Sequence, residues 1–276
     1  MRAKILSMML AAMMMLMMAG AAAAADDETS KEPVDVNEGG KETATAPEET
    51  ATSATASVSY MSRYVSRGQV LSRSGVIQPS IDLDYHGLSM NVWANYDTDR
   101  GAREINETDV TLSYNYTIKG LTMSAGYSYL GVLDANTEEA FVSASYDTLL
   151  TPTLTYYQDL RLGKAGGFAI LSISQESPEI WHGITVGCGA QAGYNFKNAT
   201  MGTNEDGRRF NDFYNGEVSM NVNIPVTKAI TIAPMIAYDF PLSKDARHAI
   251  SDARRDVGDG TNSSILWGGV TVSVGF

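Results

Sequence analysis

The sequence predicts an all-β protein: an antiparallel transmembrane β-barrel, twelve strands in number, preceded by a signal peptide and a disordered acidic tether. Three observations carry that expectation. Apolar and polar residues alternate with a period of two over most of the chain after Ala54; the connections between these runs are alternately short and long; aromatic residues gather at both ends of the runs. The composition excludes other classes. A single Cys188 in 276 residues closes no internal disulfide and builds no Cys-rich zinc site, and a net charge of -12 argues against a nucleic-acid partner. After the first 25 residues no apolar run approaches the roughly 18 residues that a membrane helix needs.

Arg2 and Lys4 precede an apolar stretch from Ile5 to Gly20, and Ala21 to Ala25 supply small residues at its end. This is the layout of a secretory signal, so residues 1–25 are read as one, with cleavage near Ala25. No cysteine stands at the cleavage point to carry a lipid. Residues 26–53 hold nine acidic side chains against Lys31 and Lys41, in a background of Ala, Thr, Ser, Pro and Gly. Such a stretch cannot bury enough apolar surface to fold and is read as a periplasmic linker. Residues 54–276 form the barrel.

Within the barrel Val110, Leu112, Tyr114 and Tyr116 alternate with Asp109, Thr111, Ser113 and Asn115. The next run sets Leu121, Met123, Ala125, Tyr127 and Tyr129 against Thr122, Ser124, Gly126 and Ser128. Similar runs lie at about 56–66, 76–85, 88–97, 140–147, 152–161, 168–175, 182–196, 214–226, 229–240 and 264–276. Each is near the length of a tilted membrane strand, about 9–11 residues. Tight turns fall at His86-Gly87, Lys119-Gly120 and Thr227-Lys228, with short links at 148–151 and 176–179. Long polar loops fall at 67–75, 98–106, 131–138, 162–167, 197–212 and 242–262. Both chain ends then lie on the short-turn side, which requires an even strand number. Pro79 and Pro234 lack a ladder donor and predict a bulge or a strand end.

If the first strand runs outward, Tyr64, Tyr96, Tyr127, Tyr129, Tyr156, Tyr194, Tyr238 and Phe240 border the apolar face at the long-loop rim. Tyr85, Tyr114, Tyr116, Tyr146 and Phe276 border it at the other. Cys188 faces lipid. The inward side chains include Arg63, Asp82, Asp84, Asn91, Trp93, Asn95, Asp109, Asn115, Asp159, Arg161, Glu217, Asn221 and Asp239, the candidate pore lining. Twelve strands lie between the eight that side chains fill and the sixteen or more that leave an open channel. The expectation is a narrow pore or a lumen filled by its own side chains. Six inward acids against two bases favour cations.

Tyr64-Val65-Ser66-Arg67-Gly68, followed by Gln78-Pro79-Ser80-Ile81-Asp82-Leu83-Asp84-Tyr85, Gly87-Leu88 and Val92-Trp93, resembles the opening of the TorF-type porin family of bacteria. Glu107-Thr108-Asp109, Gly126-Tyr127-Ser128-Tyr129, Glu139-Ala140-Phe141, Ser145-Tyr146 and Tyr156-Tyr157-Gln158-Asp159 continue the likeness in order, to about residue 160. The resemblance implies an outer-membrane barrel of porin type without an assigned substrate, with Tyr64, Arg67 and Gly68 as its signature in the first loop. Gly68 suits a tight turn with positive φ, and Arg67 is expected to pair with loop carboxylates. The final strand, ending on Phe276, resembles the C-terminal signal read by the barrel-assembly machinery.

Catalysis is not expected. His86 lies in a short turn, His182 near a strand start, and only His248, with Asp245, Ser251 and Asp252, lies in an outer loop. No metal or cofactor site is expected; Asp256, Asp259 and Asn262 do not follow the spacing of a calcium loop. The mixed charges at 205–209 and 245–259 are read as a hydrated loop face, with contact to the phosphates of lipopolysaccharide as the alternative. These readings together imply passive diffusion of small hydrophilic solutes or ions across the cell outer membrane. The alternative is a non-conducting structural or adhesion barrel acting through its loops and tether.

Overall fold

Period-two alternation leaves each run with one face for lipid and one for an interior, and only ring closure satisfies every backbone group between them. A computed structural model describes residues 52–98, 105–132 and 136–276. The expected signal and nearly all of the linker, residues 1–51, lie outside the described residues.

In chain order the strands are β1 (Thr52–Met61), β2 (Tyr64–Ser66), β3 (Gln69–Ser72), β4 (Val76–Tyr85), β5 (Leu88–Asp97), β6 (Ile105–Ile118) and β7 (Leu121–Val132). They continue with β8 (Thr137–Tyr146), β9 (Thr153–Asp159), β10 (Gly167–Glu176), β11 (Thr185–Phe196), β12 (Asn211–Pro225), β13 (Ile230–Pro241) and β14 (Ile265–Gly275). A helix α1 (Lys244–Asp256) lies between β13 and β14. All strands except β2 and β3 form one closed antiparallel barrel, so twelve strands close as expected. Closure runs through β1, where Val58 faces Val272 of β14 on one side and Pro79 of β4 on the other.

The outer face is apolar. Ile81, Leu171 and Ile236 each leave about half their surface uncovered (51, 53 and 50%), a cost that lipid removes. Tyr127, Tyr129 and Tyr238 border this band at the long-loop rim, and Tyr85, Tyr114, Tyr116, Tyr146 and Phe276 at the short-turn rim. Cys188 is exposed on the same outer face.

Four expectations are corrected. The first run is not one strand: β1 ends at Met61, where Ser62 N–H donates to Gly268 O (2.8 Å), and residues 64–72 fold back as a separate hairpin. Alternation continues through Tyr64-Val65-Ser66, which is why the break was hidden. Tyr64 consequently faces inward and packs on Trp93 (centroids 5.4 Å apart) instead of bordering lipid. Pro79 and Pro234 cause neither a bulge nor a strand end. The β4–β5 register is unchanged across Gln78 and Pro79, and the β12–β13 register across Ala233 and Pro234; only the local pairings are missing, where proline offers no donor. Finally, the 242–262 loop contains α1. Ser243 caps it, its Oγ accepting from Ala246 N–H at 3.2 Å, and Asp245 in the first turn with Arg254 and Arg255 in the last suits the helix dipole.

Candidate channel interior

The hairpin β2–β3 crosses the barrel mouth. It leaves the wall between β1 and β4, and its tip reaches β8, β9, β10 and β12 on the far side. Arg67 and Gly68 form the tip, both with positive φ (49° and 78°), the pairing that a two-residue hairpin turn demands. Arg67 donates Nη1 to Glu139 Oε1 (2.7 Å) and Nη2 to Glu139 Oε2 (2.6 Å), while its guanidinium lies over Tyr157 (4.6 Å) and Phe168 (5.1 Å). Its partner is therefore a carboxylate of the wall strand β8, not of a loop. Gln69 Nε2 donates to Tyr214 Oη (2.8 Å), and Tyr214 Oη donates to Met201 O (3.0 Å), which ties the same tip to β12.

Gly68 serves this contact twice. Besides its φ of 78°, a Cβ there would lie 2.7 Å from Asn215 Cβ. Gly68→Ala is expected to weaken tip docking by about 1–2 kcal/mol from the left-handed backbone alone. Amide exchange at residues 67–70 then quickens roughly 5–30-fold, measured by exchange mass spectrometry; unchanged exchange would show that the tip is not held here.

One side of the hairpin is filled. Ala246, Ala249 and Ile250 of α1 pack on Phe168, Phe210 and Tyr214 of the opposing segments, with Met201 beneath. These helix residues fall on one face because they are spaced by three and four. A cavity of about 460 Å³ lies between the hairpin, β5 and the C-terminal end of α1, with Arg73, Asp97, Arg255 and Asp256 in its walls.

The thirteen candidate lining residues separate into three groups. Toward the short-turn end, Asp82, Asp84, Asn91, Asn115 and Asn221 share the inner face in a hydrogen-bonded lattice with serines. Asn91 Nδ2 donates to Ser80 Oγ (2.9 Å) and Asp82 Oδ1 (2.6 Å), Asn115 Nδ2 to Ser89 Oγ (2.9 Å), Ser89 Oγ to Asp84, and Asn221 Nδ2 to Asn223 Oδ1 (2.8 Å). Higher up, Trp93, Asp109 and Glu217 remain partly exposed on that face. Asp109 Oδ1 is buried and meets no donor among the described residues.

Asn95, Asp159 and Asp239 are buried in the wall. Asp239 accepts from Asn215 Nδ2 (3.0 Å) and Trp267 Nε1 (2.9 Å); Asp159 accepts from Thr137 Oγ1 and from the N–H groups of Arg161 (2.8 Å) and Gly163 (2.7 Å). Asp159 thus shapes a loop, and Arg161 is exposed in that loop beyond the end of β9. Arg63 also lies beyond its strand, where it pairs with Asp259 (3.1 Å), which Arg254 meets as well (2.8 Å). Those two arginines occupy the carboxylate weighed for calcium. His248 pairs with Asp252 (3.0 Å) one helical turn on, along the surface of α1. Two residues of the mouth stand outside the thirteen expected lining residues: Glu107, on the inner face with Asp109, and Glu139.

A closed antiparallel barrel with an apolar, aromatic-bordered exterior and a hydrogen-bonded polar interior is an outer-membrane β-barrel, and such an exterior is satisfied in the outer membrane. The fold is similar to that of the NanC porin, with 13% identity over 80% of this chain and 98% of that one and a TM-score of 0.50. An outer-membrane channel from Pseudomonas putida F1 aligns with 11% identity over 84% of this chain and 100% of the other, with a TM-score of 0.47. At 13% identity the likeness to the NanC porin is one of fold. No protein-family model and no curated protein matches the chain.

Proposed function

We propose that this barrel is a narrow channel for small hydrophilic solutes or ions, with cations preferred and the hairpin β2–β3 setting its width. The observation that carries the reading is the hairpin itself. It lies across the mouth of a polar-walled interior and is fastened at its tip by Arg67 to Glu139. A barrel built only as a scaffold has no need of a polar inner wall, since burying Asp82, Asn91 and Asn115 away from water is costly. The acids on the inner face outnumber the bases: Arg67 is matched by Glu139, which leaves Glu107 and Asp109 to bias the passage toward cations.

The likeness of Tyr64, Arg67 and Gly68 to the TorF-type signature supports the porin reading, and their place in the hairpin across the mouth is what makes them the constriction in it. The experiment is single-channel recording of the purified protein in a planar bilayer with a KCl gradient. Small, stable steps with a cation-selective reversal potential support the proposal. The apolar cluster between α1 and β10 favours a second reading, a barrel that does not conduct, and folded protein that never opens would establish it. Phe276 is exposed directly after β14, a further part of the reading through recognition by the assembly machinery. Phe276→Ser is expected to lower the folded level in cells severalfold while leaving refolding from urea into detergent unchanged; equal levels in cells would remove that role.

A further inference from the structure

The outer rim above β9–β12 joins two features that conduction does not use. The first is aromatic. Tyr156, Phe196, Tyr194 and Phe213 form a continuous chain on the lipid-facing side, with centroids 5.7 Å apart for Tyr156–Phe196, 4.6 Å for Tyr194–Phe196 and 5.2 Å for Tyr194–Phe213. The second is cationic. Lys197 directly follows Phe196, and Arg209 stands just ahead of β12. Arg209 Nη1 donates to the carbonyls of Lys164 (3.2 Å) and Lys197 (3.4 Å), which draws the two lysine backbones together above the aromatic chain. Both lysines are held in the left-handed region (φ 52° and 54°), an uncommon conformation for residues other than glycine.

All three side chains are exposed, and none pairs with a carboxylate among the described residues. By contrast, Arg63, Arg67, Arg254 and Arg255 are all paired. Glu205 and Asp206 share the loop with Arg209, in a turn held by Asn204 Oδ1, and neither pairs with a cation among the described residues.

We propose that this flank docks a phosphorylated glycolipid of the outer leaflet, its phosphate on Lys164, Lys197 and Arg209 and its sugar and first acyl carbons on the aromatic chain. A soluble anion has no use for lipid-facing rings, and an uncharged lipid has none for three unpaired cations. The two features meet at the polar–apolar boundary, where a lipid that carries phosphate on a sugar presents both chemistries. The inference rests on the outer-membrane placement of the barrel and is independent of whether it conducts.

The test is native mass spectrometry of the full-length protein in detergent with added diphosphorylated lipid A, its dephosphorylated form, or phosphatidylglycerol. Wild type is expected to retain the diphosphorylated lipid at least tenfold better than either control. The triple variant Lys164→Asn, Lys197→Asn and Arg209→Gln is expected to lose that preference. Asn accepts the left-handed backbone, so the two lysine changes remove charge and keep the loop, while Arg209→Gln also gives up the bonds to the Lys164 and Lys197 carbonyls. Phe213→Ser is expected to reduce retention severalfold with the cations intact. Folding is checked by the heat-dependent gel mobility of the barrel. If the triple variant does not fold, the single variants Lys164→Asn and Lys197→Asn carry the same readout, because neither side chain makes a hydrogen bond or ion pair among the described residues. Undiminished retention in folded variants, or equal retention of phosphatidylglycerol by wild type, overturns the proposal.

Discussion

Replacing residues 64–72 by a short Gly-Ser link is expected to raise single-channel conductance severalfold, the largest change that any excision from this chain should produce. The hairpin reaches from the β1–β4 wall to β8 and β12, so removing it clears a chord of the ring rather than a peripheral loop. Arg67→Ala is the point-mutant form of the same test. It strands Glu139, which is 3% exposed, without its bidentate partner, and breaking one side of a buried pair costs about 3–5 kcal/mol. That is enough to undock a tip otherwise held by Gln69 and close packing. Arg67→Ala is therefore expected to give larger, noisier openings than wild type. Arg67→Lys should recover them poorly, since an ammonium cannot make two parallel bonds or lie flat on Tyr157 and Phe168. Conductance unchanged by the excision would show that the narrowest point lies elsewhere.

What alternation could and could not reveal follows from its physics. A period of two reports which face of a strand meets lipid, so the twelve wall strands, their turns and the aromatic borders were legible from residues such as Val110 through Tyr116. It is blind to whether a strand belongs to the wall. Tyr64-Val65-Ser66 has the same pattern whether it extends β1 or turns into the mouth, and the deciding contacts, Arg67 with Glu139 and Gln69 with Tyr214, join residues 72 and 145 positions apart. The helix was more accessible. Ser243 followed by Ala246, Ala249, Ile250 and Ala253, with no glycine or proline between, is a cap and an apolar stripe at helical spacing. Polar and charged residues at the remaining positions make the same stretch look like a hydrated loop. The buried carboxylates Asp159 and Asp239 had the right parity for a lining, but parity does not tell a water-facing acid from one consumed by Thr137, Asn215 and Trp267.

That distinction selects the acids whose removal should change selectivity. Asp239 and Asp159 already spend their oxygens on protein donors, and Glu139 is matched by Arg67, so their neutralisation acts chiefly on structure. Glu107 and Asp109 differ in where they stand: both keep part of their surface open on the inner face of β6 beside the hairpin, with Tyr64 of that hairpin hydrogen-bonded to Glu107. A carboxylate about 4 Å from a passing ion contributes about 1 kcal/mol where the surroundings are as polar as water. Removing two such charges from one constriction should cost the cation about 1.4 kcal/mol or more relative to the anion, which is about tenfold in relative permeability. The double variant Glu107→Gln and Asp109→Asn is thus expected to move the KCl reversal potential toward the anion side, with conductance little changed. Raising the salt should shrink the difference, because screening shortens the reach of both charges. A reversal potential that follows Asp82 and Asp84 instead would place selection at the short-turn end of the barrel, below the hairpin.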